Sequence, residues 1–121
     1  MNNYEVLNWK GLGQEISEDL IRVDFPPPEY RVSSKKYRSS EVLPPGAVRA
    51  GLLFVLRGKC KCGFGVDDGV SIILDAGQYV SFPEGRYQIE PLDGQDAEVA
   101  FVWNVLKIFN EIFPGQSRKI P

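Results

Sequence analysis

From Leu52 to Val105 the apolar positions come in short blocks separated by glycine, proline and acidic residues, the lengths of strands and not of helices. Leu52-Leu53-Phe54-Val55-Leu56 reads as a buried strand, Arg57-Gly58 as a turn, and Lys59-Cys60-Lys61-Cys62-Gly63-Phe64 as an alternating partner, together a hairpin. Asp67-Asp68-Gly69 makes a turn before the strand Val70 to Leu74, and Asp75-Ala76-Gly77 another before Gln78 to Phe82. Pro83-Glu84-Gly85 introduces Arg86 to Glu90, and after the polar loop Leu92 to Asp96 a last strand runs from about Glu98 to Val105. Short strands at intervals of about 8 to 12 residues predict a sandwich or a barrel.

The two ends differ from this core. Ile21-Arg22-Val23-Asp24-Phe25 alternates as a half-buried strand does, and Pro26-Pro27-Pro28 stops it; Ser17-Glu18-Asp19-Leu20 alternatively opens a short helical turn. Pro26 to Pro45 reads as an extended arm with one strand around Tyr30 to Val32 or Lys36 to Arg38. At the other end Leu106, Phe109, Ile112 and Phe113 recur at the spacing of one helix face until Pro114-Gly115, predicting a short amphipathic helix that packs on the barrel or on a partner subunit. The expected organisation is one domain: an N-terminal arm over 1–45, a core over 46–105 and a helix and tail over 106–121.

Composition narrows the chemistry. A chain of 121 residues suits one domain that buries about two-thirds of its unfolded surface. It has no histidine, which removes the commonest general base, the Ser-His and Cys-His pairs and every imidazole-dependent metal site. Fourteen basic against 16 acidic side chains leave a charge of −2, with no electrostatic footprint for nucleic acid; the cluster Arg31, Lys35, Lys36, Arg38 reads as a solvated loop. No apolar run approaches the roughly 18 residues of a membrane span, and Met1 to Trp9 carries Glu5 where a signal peptide needs a basic end, so no membrane association and a cytoplasmic location are expected. Cys60 and Cys62, one residue apart, provide no secreted disulfide framework and fit a reducing compartment.

Two stretches resemble the cupin superfamily. Gly77-Gln-Tyr-Val-Ser-Phe-Pro83-Glu-Gly85 is similar to the first part of the second cupin motif, and Phe54-Val55-Leu56-Arg57-Gly58 to the close of the first, in the same order and spacing. The resemblance covers about Leu43 to Val105 and implies an all-β, cupin-type jelly-roll β-barrel with a short C-terminal helix. Leu43-Pro44, Val55 to Gly58 and Gln88-Ile89-Glu90-Pro91-Leu92 also resemble a small single-domain cupin family associated with tellurite resistance, whose histidine-bearing stretch is shortened here. Cupins take two histidines and a glutamate from the first motif and one histidine from the second as metal ligands facing the interior. Counting from Gly58 places the glutamate position on Gly51 and the two histidine positions around Pro44 to Ala47; counting from Gly85 places the last on Gln88. None suits a transition metal, so neither a metal nor another cofactor is expected. The metal-independent sugar epimerases of this fold use a His-Asp base, which is also closed.

Several residues remain candidates. An inward Gln88 puts Arg86 and Glu90 on the same face at the barrel mouth, where they could hold a small polar or anionic ligand. Tyr79 and Tyr87 add ligand contacts or core packing, and Arg49 fills the vacated space, binds an anion or faces solvent. Cys60 and Cys62 point inward because Lys59 and Lys61 must stay wet; they form a soft metal or redox site completed by Glu90 or Asp75, or are small buried core residues. No catalytic residue is assigned: the serines have no histidine partner, and Gly11-Leu12-Gly13 and Gly63-Phe64-Gly65 lack the context of a phosphate loop.

Three functions follow. The first is a metal-free binding or assembly module with a barrel pocket for a small polar or anionic ligand and a homodimer formed through an edge strand and the tail helix. The second is an enzyme with an unusual site of Cys60, Cys62, Gln88 and Glu90, or a carboxylate acid-base pair. The third is a structural or partner-binding domain whose interior is filled by Phe, Leu and Trp side chains.

Overall fold

A computed structural model describes residues 5–9, 16–39, 46–64 and 70–113. In chain order they form β1 (Leu7–Asn8), α1 (Glu18–Asp24), β2 (Tyr30–Tyr37), β3 (Gly46–Val48), β4 (Gly51–Arg57), β5 (Lys59–Phe64), β6 (Val70–Asp75), β7 (Gln78–Phe82), β8 (Gly85–Pro91), β9 (Ala97–Asn104) and α2 (Val105–Ile112). All pairings are antiparallel, in a five-stranded sheet ordered β1-β7-β4-β9-β2 and a four-stranded sheet ordered β3-β8-β5-β6. The all-β expectation holds, as two facing sheets with two short helices.

The space between the sheets is the main core. Alternation in β5 turns Cys60, Cys62 and Phe64 inward while Lys61 stays exposed, and the opposing sheet contributes Tyr37, Leu53, Val55, Val80, Phe82, Val99 and Phe101. A second core lies on the outer face of the five-stranded sheet: Val32, Phe54, Leu56, Ala100 and Val102, covered by Trp9, Ile16 and Ile21 from the N-terminal segment. Strands β4 and β9 are therefore buried on both faces, which is why their sequences are continuous apolar runs.

In the N-terminal segment the strand expected at Ile21 to Phe25 gives way to the alternative, a helix opened by Ser17. Residues Glu18–Asp24 are helical, with the Ser17 hydroxyl accepting from the Leu20 backbone N–H at 3.2 Å and Glu18 and Asp19 in the first turn. Only Ile21 of this helix is buried, so one anchoring side chain and a good N-cap prevail over the alternation. The strand expected around Tyr30 to Val32 or Lys36 to Arg38 is present but longer, and the solvated loop expected for the basic cluster is corrected: Tyr30–Tyr37 is one continuous strand paired with β9, from Tyr30↔Asn104 to Tyr37↔Ala97. Its basic residues project from a sheet edge, where charge discourages further strand pairing. The turn expected at Asp67-Asp68-Gly69 lies outside the described residues, as does Pro114-Gly115. Helix α2 forms where the spacing predicts, capped by the Asn104 side chain, which accepts from the Lys107 N–H at 2.9 Å.

Ile21 is fully buried in the second core. Ile21→Ala is expected to lower unfolding free energy by about 2–5 kcal/mol in urea denaturation. An exposed α1 residue such as Val23, 72% exposed, should change it by less than about 0.5 kcal/mol when made alanine.

Candidate functional site

Of the positions that the cupin resemblance assigns to metal ligands, Gly46 and Gly51 lie against aromatic rings, Gln88 is exposed, and Pro44 and Pro45 lie outside the described residues. A Cβ built on Gly51 would collide with the Val102 carbonyl oxygen and lie 2.9 Å from Trp103 Cδ1 and 3.2 Å from Phe82 Cζ. A Cβ on Gly46 would lie 2.8 Å from Tyr87 Cε1. Gly46 thus makes room for the Tyr87 ring, and Gly51 for the Val102 carbonyl and the Trp103 ring; the rings belong to one packed group. Phe64 stacks on Phe82 at 5.8 Å and Phe101 on Trp103 at 5.5 Å, while Phe82 and Tyr87 meet Phe101 edge-on at 5.8 and 5.4 Å. No polar or charged residue is buried among the described residues.

The predicted ligand set does not face this interior. Arg86, Gln88 and Glu90 do share a face of β8, but it is the exposed outer one; Tyr87 and Ile89 point inward. The physical reason is the two-residue period of a strand, in which apolar Tyr87 and Ile89 determine which side is buried, and the count from the motif falls one residue off. Tyr79 lies on the opposite side of the five-stranded sheet from the main core, stacked on Phe54 at 4.6 Å beneath the N-terminal segment. Arg49 does not fill the vacated space either: it is exposed, its Nη1 2.7 Å from Glu84 Oε1, and its backbone carbonyl accepts from Trp103 Nε1 at 3.1 Å.

Cys60 and Cys62 point inward as their alternation with lysines requires, with Sγ atoms 3.6 Å apart and no solvent exposure. Neither proposed third ligand reaches them. Glu90 is on the outer face, and the exposed Asp75 lies 3.6 Å from Lys59 Nζ. No group of three or more Cys, Asp or Glu residues that could hold a metal ion exists among the described residues. The hydrogen bond with Cys60 and then burial push the Cys62 thiol far above the ordinary cysteine range. Burial, with the nearby Tyr87 phenol, likewise raises Tyr37, whose hydroxyl has no hydrogen-bond partner among the described residues.

A concavity absent from the sequence reading lies on the other side of the five-stranded sheet. It encloses about 290 Å³ and is lined by Ile16, Ser17, Glu18, Ser34, Leu56, Arg57 and Glu98. A β-bulge builds it: β4 pairs Val55 with Val99 but Arg57 with Glu98, so Leu56 and Arg57 together oppose one residue and the alternation slips. Arg57 Nε then lies 3.8 Å from Glu98 Oε1. Glu18 closes the rim, and its carboxyl is held below the usual range chiefly by a hydrogen bond from Ser34 and by the charge of Arg22, 3.3 Å away. A bulge is a two-strand property with no local signature, which is why no motif pointed here.

Neither protein-family models nor curated protein sequences match the chain. Solved structures do. Acireductone dioxygenase from Bacillus anthracis, a cupin-fold enzyme with a cadmium ion in its active centre, superposes with a TM-score of 0.55 at 12% identity, over 84% of this chain and 78% of that one. Drosophila melanogaster CENP-C, solved bound to CAL1, matches with a TM-score of 0.52 at 13% identity, over 60% of this chain and 59% of that one, so the match spans less than two-thirds of the CENP-C chain.

The Cys62 shift has a measurable sign. The folded state keeps a proton that the unfolded chain releases above about pH 8.5, so stability falls as pH rises past that value. Between pH 7.5 and 10 this group should cost about 2 kcal/mol in urea unfolding. Cys62→Ala should show a correspondingly flatter pH dependence. An equal slope in parent and variant would contradict the protonated, buried thiol. The result to be expected is that much of this loss disappears in the variant, the deepest drop of the parent lying above pH 9.

At the level these likenesses carry, the chain has a β-rich, cupin-like fold.

Proposed function

We propose that this chain is a metal-free, cupin-like jelly-roll module that works by binding and assembly, and not by chemistry inside the fold. The observation that supports this reading is the packing at Gly46 and Gly51, where added side chains would meet Tyr87, Trp103 and Phe82. An apolar, ring-filled space stabilises no developing charge, and a charged reactant placed in it would lose several kcal/mol of hydration without compensation. The alternative of an enzyme built on Cys60, Cys62, Gln88 and Glu90 loses its support, because the thiols and the polar pair lie on opposite faces of one sheet.

The partner this reading names is a second copy of the chain. Helix α2 buries none of its residues, and Val105, Ile112 and Phe113 are 36, 48 and 45% exposed. Its start is tied to the fold by the Val105 N–H to the Glu29 carbonyl at 2.8 Å, so the apolar face is presented on a fixed base. Covering such a face is what amphipathic helices at subunit contacts do. The structurally similar CENP-C was solved bound to another protein, which supports a fold of this kind serving as a platform for protein partners. The Lys-rich edge of β2 is a poor second contact, since two-fold pairing there would set Lys35 and Lys36 against like charges.

Light scattering on the full chain at micromolar concentration should give a dimer mass, and Ile112→Glu should shift it to monomer with an unchanged thermal midpoint. A monomer in the parent protein rejects the second copy as partner. Elemental analysis of protein purified without added metal should find far less than one equivalent. Stoichiometric zinc, iron, nickel or copper that is lost in a Cys60→Ser, Cys62→Ser variant would overturn the metal-free reading.

A further inference from the structure

The thiol pair of β5 takes no part in assembly, and it has a companion in the core. Cys60 and Cys62 are fully buried, with their Sγ atoms 3.6 Å apart. Across from them β2 contributes Tyr37, 3% exposed, whose hydroxyl has no hydrogen-bond partner among the described residues. That phenol lies within electrostatic reach of both thiols and of the Tyr87 phenol of β8, and all four side chains pack in or against one core cluster. An enclosed hydroxyl without a partner is uncommon in a folded protein and calls for a group that would satisfy it.

Three properties of the pair select the ligand class. The first is spacing. A separation of 3.6 Å is far beyond the about 2.05 Å of a disulfide, but an atom bonded to both sulfurs at about 2.3 Å, as in thiolate sites, would subtend roughly 100° there. That angle suits a pyramidal or a tetrahedral centre. The second is charge. No charged residue is buried among the described residues and burial helps keep Cys62 protonated, so an ion entering this core would lose its hydration without compensation. A neutral molecule that condenses with protonated thiols and releases water brings no charge in. The third is number. A tetrahedral metal ion wants about four donors, and no group of three or more Cys, Asp or Glu exists among the described residues. Two thiols are enough for a trivalent centre that keeps one hydroxyl. Arsenous acid meets all three conditions, being trivalent, strongly thiophilic and uncharged at neutral pH.

We propose that Cys60 and Cys62 form a binding site for trivalent arsenic, taken up as arsenous acid, with the Tyr37 hydroxyl hydrogen-bonded to the hydroxyl left on arsenic. Two As–S bonds form and two As–O bonds break; each thiol proton leaves in a water molecule, and no atom changes oxidation state. Entry is by the side of the sandwich where β2 and β3 end their sheets, since no backbone ladder joins those two edges among the described residues. The site goes beyond the assembly role and does not rest on it, and arsenic is acquired, so protein purified without it still carries no metal.

Intact-mass spectrometry of the folded full chain incubated with sodium arsenite tests it. A single adduct is expected, heavier by one arsenous acid less two waters. The thermal midpoint should rise with arsenite concentration, because the folded chain presets a sulfur spacing that the unfolded chain must find. Cys62→Ala should form no adduct. Tyr37→Phe keeps both thiols and separates a built site from thiol reactivity alone: loss of an unpartnered buried hydroxyl should leave the arsenic-free midpoint equal or higher, yet weaken arsenite at least about fivefold. No adduct on the folded chain at about 1 mM arsenite, a midpoint that falls with arsenite, or unchanged affinity in Tyr37→Phe would each overturn the proposal. Light scattering on the same samples reports the dimer separately, so failure of one idea is distinguishable from failure of the other.

Discussion

The constraint on which the rest of the structure depends is that β4 and β9 are apolar on both faces. Leu53, Val55, Val99 and Phe101 look into the space between the sheets, while Phe54, Leu56, Ala100 and Val102 look the other way. A sheet of that kind is stable in water only when both faces are covered, and the four-stranded sheet covers one. The other must be covered by whatever the chain has left, which is the segment carrying Trp9, Ile16 and Ile21. A helix of seven residues has little stability of its own, so α1 exists because Ile21 docks and Ser17 caps it. The cleft beside it is a by-product of the same docking, since a short helix laid across a twisted, bulged sheet cannot follow its surface everywhere.

The interior shows a complementary relation between small and large residues. Gly46 and Gly51 are tolerated in strands, where glycine ordinarily weakens pairing, because their missing side chains admit Tyr87, Trp103 and Phe82. A side chain at Gly51 would first meet the Val102 carbonyl oxygen and then Trp103, and one at Gly46 would displace the Tyr87 ring. Polar side chains at these two positions would thus need changes at several neighbouring residues at once.

Much of the fold was legible in the sequence. The hairpin at Gly58, the strands Gln78–Phe82 and Val70–Asp75, and the terminal helix follow from short-range patterns of glycine, alternation and helical spacing. What local patterns could not convey was which long-range contact would win. Ile21 to Phe25 alternates like a strand but lacks a neighbour to pair with and has a serine cap, so it became helical; the serine- and lysine-rich stretch Tyr30–Tyr37 looks like a loop but β9 offers it an eight-residue partner. The inward thiols were legible because lysines flank them, whereas the positions of Arg86, Gln88 and Glu90 depended on a motif count and not on the apolar residues between them.

That error and the unseen cleft have one physical origin. In a strand, a single residue of offset exchanges the inner and outer faces. At β8 the offset lay in the alignment with the motif, and Tyr87 took the inward place expected for Gln88. At β4 the offset is real, because the bulge after Val55 slips the alternation and brings Arg57 beside Glu98 on the rim of the cleft. Continuing the alternation Phe54 out, Val55 in, Leu56 out would place Arg57 inward, where a guanidinium has no partner in an apolar core and would be costly. The bulge avoids that cost and in the same step sets a cation beside the Glu98 carboxylate. A structural necessity at the end of a buried strand is therefore sufficient to set an ion pair on the rim of the cleft.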